Sequence, residues 1–389
     1  MNLSAIQAAL RDANLDAWLF YDHHHRDPLA YSILSLDPAM HVTRRWFYLV
    51  PAQGEPKKLV HRIESGRLDT LPGTRAEYSS WQELDAALES MLAGHSRIAM
   101  QYSPRNAIMY VSMVDAGTIE RLREMGKEIV SSADLVSQFE AVLTADQIAS
   151  HYVAQEKVDC ILAEAWKRMG ALVRTSGAHE FAIVEWISEA FRREGLIWEH
   201  GPNVSCGPNS ADSHYEPTPE NSRPIRRGDF ALIDLWAKLP QPGAVYYDIT
   251  WTGVVDREPT QREQTIFDAV RDARDAAIAA IQAAYVAHTP IAGFQADDAA
   301  RNVIRAAGYG DWFTHRTGHN IGPDIHGAGA HLDNMETHDT RILLPNTCFS
   351  VEPGIYFPGE FGLRSEVNML TTPTQAAVTG RIQAELVRI

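Results

Sequence analysis

Four carboxylates and one imidazole in the C-terminal part of this 389-residue chain have the types and settings to hold metal: Asp234, Asp248, His319, Glu352 and Glu366. Asp234 lies in Phe230-Ala-Leu-Ile-Asp-Leu235, an apolar run that reads as a buried strand. An ionised carboxylate there is costly unless it is paired or metal-bound. Asp248 follows Val245-Tyr-Tyr on a second strand-like run. His319 sits in Thr317-Gly-His-Asn-Ile-Gly322, Glu352 in Phe349-Ser-Val-Glu-Pro-Gly354 and Glu366 in Gly362-Leu-Arg-Ser-Glu-Val367. A set dominated by hard oxygen donors suits two divalent cations held close together. Such a pair lowers the pKa of a shared water and polarises a carbonyl, which is the chemistry of a hydrolase.

Each residue alone has a plainer explanation. Two strand-end aspartates can cap a turn, and a histidine beside Gly318 can be structural. Glu352 can end a strand at Pro353-Gly354, and Glu366 can pair with Arg364. The order and company of all five favour metal.

The positioning elements follow from pattern. Phe230, Leu232 and Asp234 share one strand face, as do Tyr246, Asp248 and Thr250. Pro240-Gln-Pro-Gly243 breaks the run between them, so a hairpin brings the two aspartates together. Thr144-Ala-Asp-Gln147 and Thr260-Gln-Arg-Glu263 are capping boxes that open helices to about Leu172 and Tyr285. Further helices are expected over 180–195 and Asp297–Ala307. Upstream, a helix over Leu3–Ala13 precedes strands at Ala17–Tyr21, Arg45–Val50 and Arg97–Gln101, the alternation of an α/β domain. The reading is therefore an α/β N-terminal domain over 1–140 and an α+β domain over 141–389.

Composition narrows the partners. The net charge of −15 disfavours nucleic acid or an anionic membrane surface. Cys160, Cys206 and Cys348 form no metal-binding spacing, which suits reduced thiols and a cytoplasmic location. The N-terminus reads as an amphipathic helix rather than a signal peptide. No run approaches the roughly 18 apolar residues of a membrane helix.

Together the motifs resemble the metallopeptidases of the pita-bread fold, family M24, and within it the Xaa-Pro branch of aminopeptidase P and prolidase. Asn221-Ser-Arg-Pro-Ile-Arg-Arg-Gly-Asp-Phe-Ala-Leu-Ile-Asp234 and Tyr247-Asp-Ile-Thr250 are similar to the approaches to that branch's two aspartates. His315-Arg-Thr-Gly-His-Asn-Ile-Gly322 resembles its histidine motif. Asn346-Thr-Cys-Phe-Ser-Val-Glu-Pro-Gly-Ile-Tyr356 and Gly362-Leu-Arg-Ser-Glu366 resemble its glutamate motifs. The likeness covers about residues 145 to 380.

It implies a pita-bread catalytic domain after a smaller creatinase-like N-terminal domain, and hydrolysis of the bond before proline in peptides. It also implies two divalent ions, manganese foremost with cobalt or zinc as substitutes, and a homodimer. Asp234 would hold one ion through both oxygens. Asp248 and Glu366 would bridge, while His319 and Glu352 complete the second ion. Glu352 would also shuttle the proton. His214 and His326 would face the substrate, and Arg364 would orient a bridging carboxylate.

The chain departs from that pattern close to the site. Trp236 follows the first aspartate segment where glycine is usual, and Trp251 stands where arginine is usual. The segment between the aspartates is longer than in many relatives, and Gly327-Ala-Gly-Ala-His331 replaces an acidic, proline-containing turn. Where prolidases of this kind carry a carboxylate-binding arginine, this chain has His338 and Ala330, with Arg341 nearby. These differences touch substrate choice. The alternatives are a pita-bread hydrolase of a small C–N-bonded metabolite, of the creatinase or ectoine-hydrolase kind, and a non-catalytic binding module. The intact donor set argues against both the creatinase-type version and the module.

Overall fold

The computed structural model describes residues 1–389, which divide into two compact units, Met1–Glu140 and Ala141–Ile389.

The first unit contains α1 (Leu3–Asp12), β1 (Ala17–Asp22), α2 (Pro28–Leu34), β2 (Trp46–Pro51), β3 (Lys57–His61), β4 (Thr74–Tyr78), α3 (Trp81–Met91), β5 (Arg97–Met100), α4 (Ala116–Glu124), β6 (Glu128–Ser131) and the short α5 (Ala133–Val136). Its strands form one mixed sheet in the order β4-β3-β2-β1-β5-β6. The expected strands at Ala17, Arg45 and Arg97 are present. β3, β4 and β6 are additions, because their short, charge-bearing runs carry too few apolar residues to stand out. Leu84, Leu88 and Leu92 of the α3 segment pack with Leu19, Phe47 and Ile98 to make this unit's core.

The second unit begins with α6 (Ala145–Thr175), opened by the capping box of Thr144 and Gln147. After it come β7 (Ala178–His179), α7 (Glu180–Arg193), β8 (Asn203–Cys206), β9 (Pro224–Ile225), β10 (Phe230–Ala237) and β11 (Tyr247–Val254). Thr260 and Glu263 cap α8 (Gln261–Val286) in the expected way. The next helix, α9 (Gly293–Ala306), starts before the expected Asp297, because the Gln295 side chain accepts the Ala292 amide at 2.8 Å and completes an extra turn. The chain ends with β12 (Asn320–Ile321), β13 (Cys348–Val351), β14 (Gly354–Phe357), β15 (Phe361–Arg364), β16 (Val367–Thr371), β17 (Ala376–Thr379) and β18 (Val387–Arg388).

Two four-stranded sheets, β18-β11-β10-β8 and β12-β13-β16-β17, carry the acids, with β14-β15 as a separate hairpin. One face of β10–β11 packs on α6 and α7 through Ile233, Leu235 and Ile249. The other sheet packs on α8 and α9 through Phe349, Val351 and Met369. Helices thus cover the outer faces and leave the inner faces of the strands to line the site. This is the pita-bread fold. No helix is long and apolar enough to cross a membrane.

Candidate metal centre

The hairpin β10–β11 pairs Asp234 with Thr250 and Trp236 with Asp248. The two aspartates therefore sit on one face, offset diagonally by two residues rather than directly opposed. His319 stands immediately before β12, Glu352 immediately after β13, and Glu366 between β15 and β16. All five come together. The side-chain donor atoms of Asp248, His319 and Glu366 lie within 4.8 Å of one another. His319 Nε2 is 3.3 Å from Glu352 Oε1 and 3.6 Å from Asp248 Oδ2. Thr250 Oγ1 lies 2.9 Å from Asp234 Oδ1 and 2.7 Å from Glu366 Oε2.

Local contacts explain the aim of each group. The backbone amide of Glu366 donates to Thr250 O, tying the loop after β15 onto the hairpin. Asn368 accepts the Asp248 amide at 2.9 Å. Gly318 has no room for a side chain, because a Cβ would sit 2.0 Å from Ser350 O. That close approach lets Ser350 Oγ accept the His319 amide at 2.9 Å and donate to Glu352 Oε1 at 3.0 Å. Asp297 on α9 accepts the amide and hydroxyl of Thr317, and Arg301 donates to His315 O, so the segment before His319 is fixed to a helix. His319 Nδ1 faces Asn320 O at 3.3 Å, the arrangement in which Nδ1 carries the proton and Nε2 presents its lone pair to the acids.

The charge balance favours a cation. Asp248 Oδ1 and Glu366 Oε1 are buried with no hydrogen-bond partner. The nearest fixed positive group is Arg364, whose Nη2 contacts Asp234 Oδ2 while Nε meets Thr250 Oγ1 at 3.0 Å and lies 3.9 Å from Glu352 Oε2. Burial pushes the Asp248 and Glu366 carboxyls well above their usual range, with neighbouring acids adding to the effect. Burial raises Asp234 to about 7 against the pull of Arg364. Glu352 alone moves down, to about 2, where His319 and Arg364 outweigh its burial. Its side chain is 12% exposed. Four acids facing one guanidinium and one imidazole cannot all ionise without further positive charge, and unpartnered oxygens aimed at one point are what a divalent ion requires. The residues fit the group.

Arg364 reaches Asp234 and Glu352 most directly, whereas the resemblance gave it to a bridging acid. The β15 backbone sets this, bringing its side chain over Thr250 on β11. His326 is solvent-exposed on one side and meets His319 edge-on, with centroids 4.4 Å apart. Burial and the charges of His319 and Arg316 hold its pKa at about 3. His214 is exposed on the loop after residue 211, with its amide donating to Asp212 Oδ1.

Several partners were not assigned from sequence. Strand alternation puts Thr250 on the face of Asp248, but a hydroxyl in mid-strand carries no signal alone. His315 is buried, with Nδ1 2.6 Å from Arg316 O and Nε2 2.8 Å from the Tyr356 hydroxyl. His331 is fully buried, and its Nδ1 accepts the Asn320 amide at 3.0 Å. Arg341 is 1% exposed. It makes a two-pronged pair with Asp339 and donates to Ala328 O at 2.6 Å, so the fold holds it in place through three of its N–H groups. Trp236 donates to Glu199 O at 3.0 Å, and Trp251 packs beside the α6–α7 core.

The fold and this acid-lined pocket define a metallohydrolase-type domain. The pattern of Metallopeptidase family M24 matches residues 153–373, and the chain belongs to that family. "Probable dipeptidase PepE" of Mycobacterium tuberculosis is 32% identical over 54% of this chain and 52% of its own length. The Xaa-Pro dipeptidase of Lactobacillus helveticus is 32% identical over 42% of this chain and 40% of its own. The chain thus matches about half the length of such curated relatives. Among solved structures, dipeptidase PepE from Mycobacterium ulcerans superposes with a TM-score of 0.70 at 24% identity, covering 99% of this chain and 96% of that one.

Proposed function

We propose that this protein hydrolyses the peptide bond before proline in Xaa-Pro peptides, with two divalent metal ions, manganese foremost, held by the five residues. The observation that carries the metal reading is the pair of buried, unpartnered oxygens, Asp248 Oδ1 and Glu366 Oε1, facing His319 Nε2. The substrate class rests on the family and on relatives named as dipeptidases.

In this reading Asp234, Asp248, His319, Glu352 and Glu366 would hold the ions. Bound there, the ions would lower the pKa of a shared water to give hydroxide and polarise the scissile carbonyl. The chain's own groups do the rest. Glu352, oriented by Ser350, takes the proton of the attacking water and delivers it to the leaving nitrogen. His326 offers a hydrogen bond to the substrate or intermediate, and His214 sits on the leaving-group side. Arg364 and Thr250 hold Asp234 and Glu366 in place.

Arg341 favours peptides longer than two residues. A strict dipeptidase needs a free guanidinium or its equivalent for the product's terminal carboxylate, and Arg341 is committed to Asp339 and Ala328. An aminopeptidase P-like activity is therefore the preferred form. The N-terminal unit serves as the creatinase-like domain of a cytoplasmic homodimer. Release of the N-terminal residue from Ala-Pro-Ala by manganese-loaded protein tests the proposal; no cleavage of any Xaa-Pro peptide in a panel would sink it.

A further inference from the structure

Glu180, the first residue of α7, is fully buried and stands outside the metal centre. A carboxylate so placed is costly unless hydrogen bonds meet its charge. Both of its oxygens are met. Oε1 accepts the Cys206 amide at 2.8 Å, and Oε2 accepts the Arg223 amide at 2.9 Å. The Asn209 side-chain nitrogen lies 3.2 Å from Oε1 and 2.9 Å from Oε2. The Tyr215 hydroxyl donates to Oε2 at 2.8 Å. Burial, with the Glu180 charge adding to it, raises the Tyr215 pKa, so the hydroxyl keeps the proton it donates.

These donors are the two ends and the middle of a single loop. Cys206 closes β8, Arg223 immediately precedes β9, and His214 lies between them. The neck of the loop is shut. Arg223 Nη1 donates to Cys206 O at 2.7 Å, and the Glu180 amide donates to Arg223 O at 3.2 Å. Gly207, at φ of 51°, permits this approach, since a Cβ there would sit 2.1 Å from Arg223 Nη1. A closed neck leaves the middle of such a loop to be fixed by its own side chains. His214 and Glu216 are exposed, whereas Tyr215 between them is half-buried with its hydroxyl on Glu180. The loop also docks on the metal centre's own scaffold. Ser210 Oγ accepts the Gly362 amide at 3.0 Å, and a Cβ at Gly362 would lie 2.1 Å from Ser210 O. Gly362 belongs to β15, the strand of Arg364.

We propose that Glu180 is a positioning residue for the hydrolysis: through the Tyr215 hydroxyl it holds His214 on the leaving-group side of the metal centre. This rests on the role given to His214 under the proposed function. A hydrogen bond to an ionised acceptor is about twice as strong as a neutral one, which suits a carboxylate rather than an amide at this post. The need is real, because a displacement of about 1 Å in a reacting arrangement costs about 10²-fold in rate. An exposed histidine on a surface loop meets that tolerance only if the loop is tied from beneath.

A double-mutant cycle on the full, manganese-loaded chain tests this, with Ala-Pro-Ala as substrate. Tyr215→Phe removes the contact and keeps the ring. Glu180→Gln keeps the shape and removes the charge, which separates this contact from the longer approach of the Tyr215 hydroxyl to Asn221 O at 3.2 Å. Each is made alone and together with His214→Ala. Tyr215→Phe alone lowers kcat by about tenfold, with KM changed by less than about twofold and manganese content unchanged. In the His214→Ala background the same change costs less than about twofold, because the group it positions is gone. Glu180→Gln follows the same pattern, and Tyr215→Phe decides the matter where Glu180→Gln does not fold. Native kcat in Tyr215→Phe, equal losses with and without His214, or loss of manganese each overturn the assignment. All three are read against a native protein that cleaves the peptide, so they are distinct from failure of the proposed function, which shows in the native protein itself.

Discussion

Thr250 stands directly across the hairpin from Asp234, and its hydroxyl lies 2.9 Å from Asp234 Oδ1 and 2.7 Å from Glu366 Oε2. One hydroxyl thus touches two acids that enter the site from strands far apart in sequence. It also meets Arg364 Nε at 3.0 Å, so the guanidinium, the hydroxyl and both carboxylates form one contact network.

Removing that hydroxyl should loosen the centre without emptying it. Thr250→Val keeps the β-branched shape on a buried strand. Metal affinity should fall by about 10- to 100-fold, the usual cost of losing a partner that orients a ligand. Competition with a chelator of known affinity measures it. Unchanged affinity would mean that Thr250 only fills space.

Metal content is the most direct check on the donor set. Protein loaded with manganese and freed of loose ions should retain about two ions per chain. Asp248→Ala should retain fewer and lose nearly all turnover. Elemental analysis reads the first and peptide hydrolysis the second. Full activity in the variant would remove Asp248 from the centre.

The two exposed histidines should separate binding of metal from catalysis. His326→Ala and His214→Ala should keep their ions and lose about 10²-fold in rate, the scale of a missing transition-state donor. Should either lose metal instead, that histidine is a ligand and the set of five is incomplete.

Peptide length decides the specificity question. Ala-Pro-Ala and longer peptides should be cleaved more efficiently than Ala-Pro, because Arg341 is locked onto Asp339. Comparing kcat/KM across the series is sufficient. Cleavage of the dipeptide alone would mean that another residue anchors the carboxylate.

His151 on α6 makes acid stability testable away from the acids. It is fully buried, its Nδ1 2.7 Å from Tyr246 O and its Nε2 2.9 Å from Thr379 Oγ1, with Cys348 and Tyr247 also against the ring. Burial lowers its pKa from 6.5 to about 4, so the fold prefers the neutral ring. The unfolded chain binds the proton more readily. This contribution is complete above pH 6.5 and is lost as pH falls from there to about 4. It amounts to about 3 kcal/mol over that window. Denaturant melts of the native protein and His151→Gln across the window should show a steeper acid loss for the native protein. Parallel curves would refute it.

How much of this was written in the chain is clear from individual residues. The apolar run around Asp234 requires burial, and an acid in such a run requires a partner; local chemistry alone reveals that. Capping boxes at Thr144 and Thr260 announce their helices because both partners lie within four residues. Five short motifs in order were enough for the family. The diagonal offset of Asp234 and Asp248 was not legible, since register depends on which residues pair across the turn. Nor were the tasks of Thr250, Ser350 and His331, whose partners lie on other strands. The same holds for Arg341, which has identical letters whether it reaches for substrate or, as here, closes on Asp339. Sequence determines residue types and local periodicity; contacts between distant segments exist only once the layers have packed, and packing decides which polar atoms are satisfied and which are left facing a ligand.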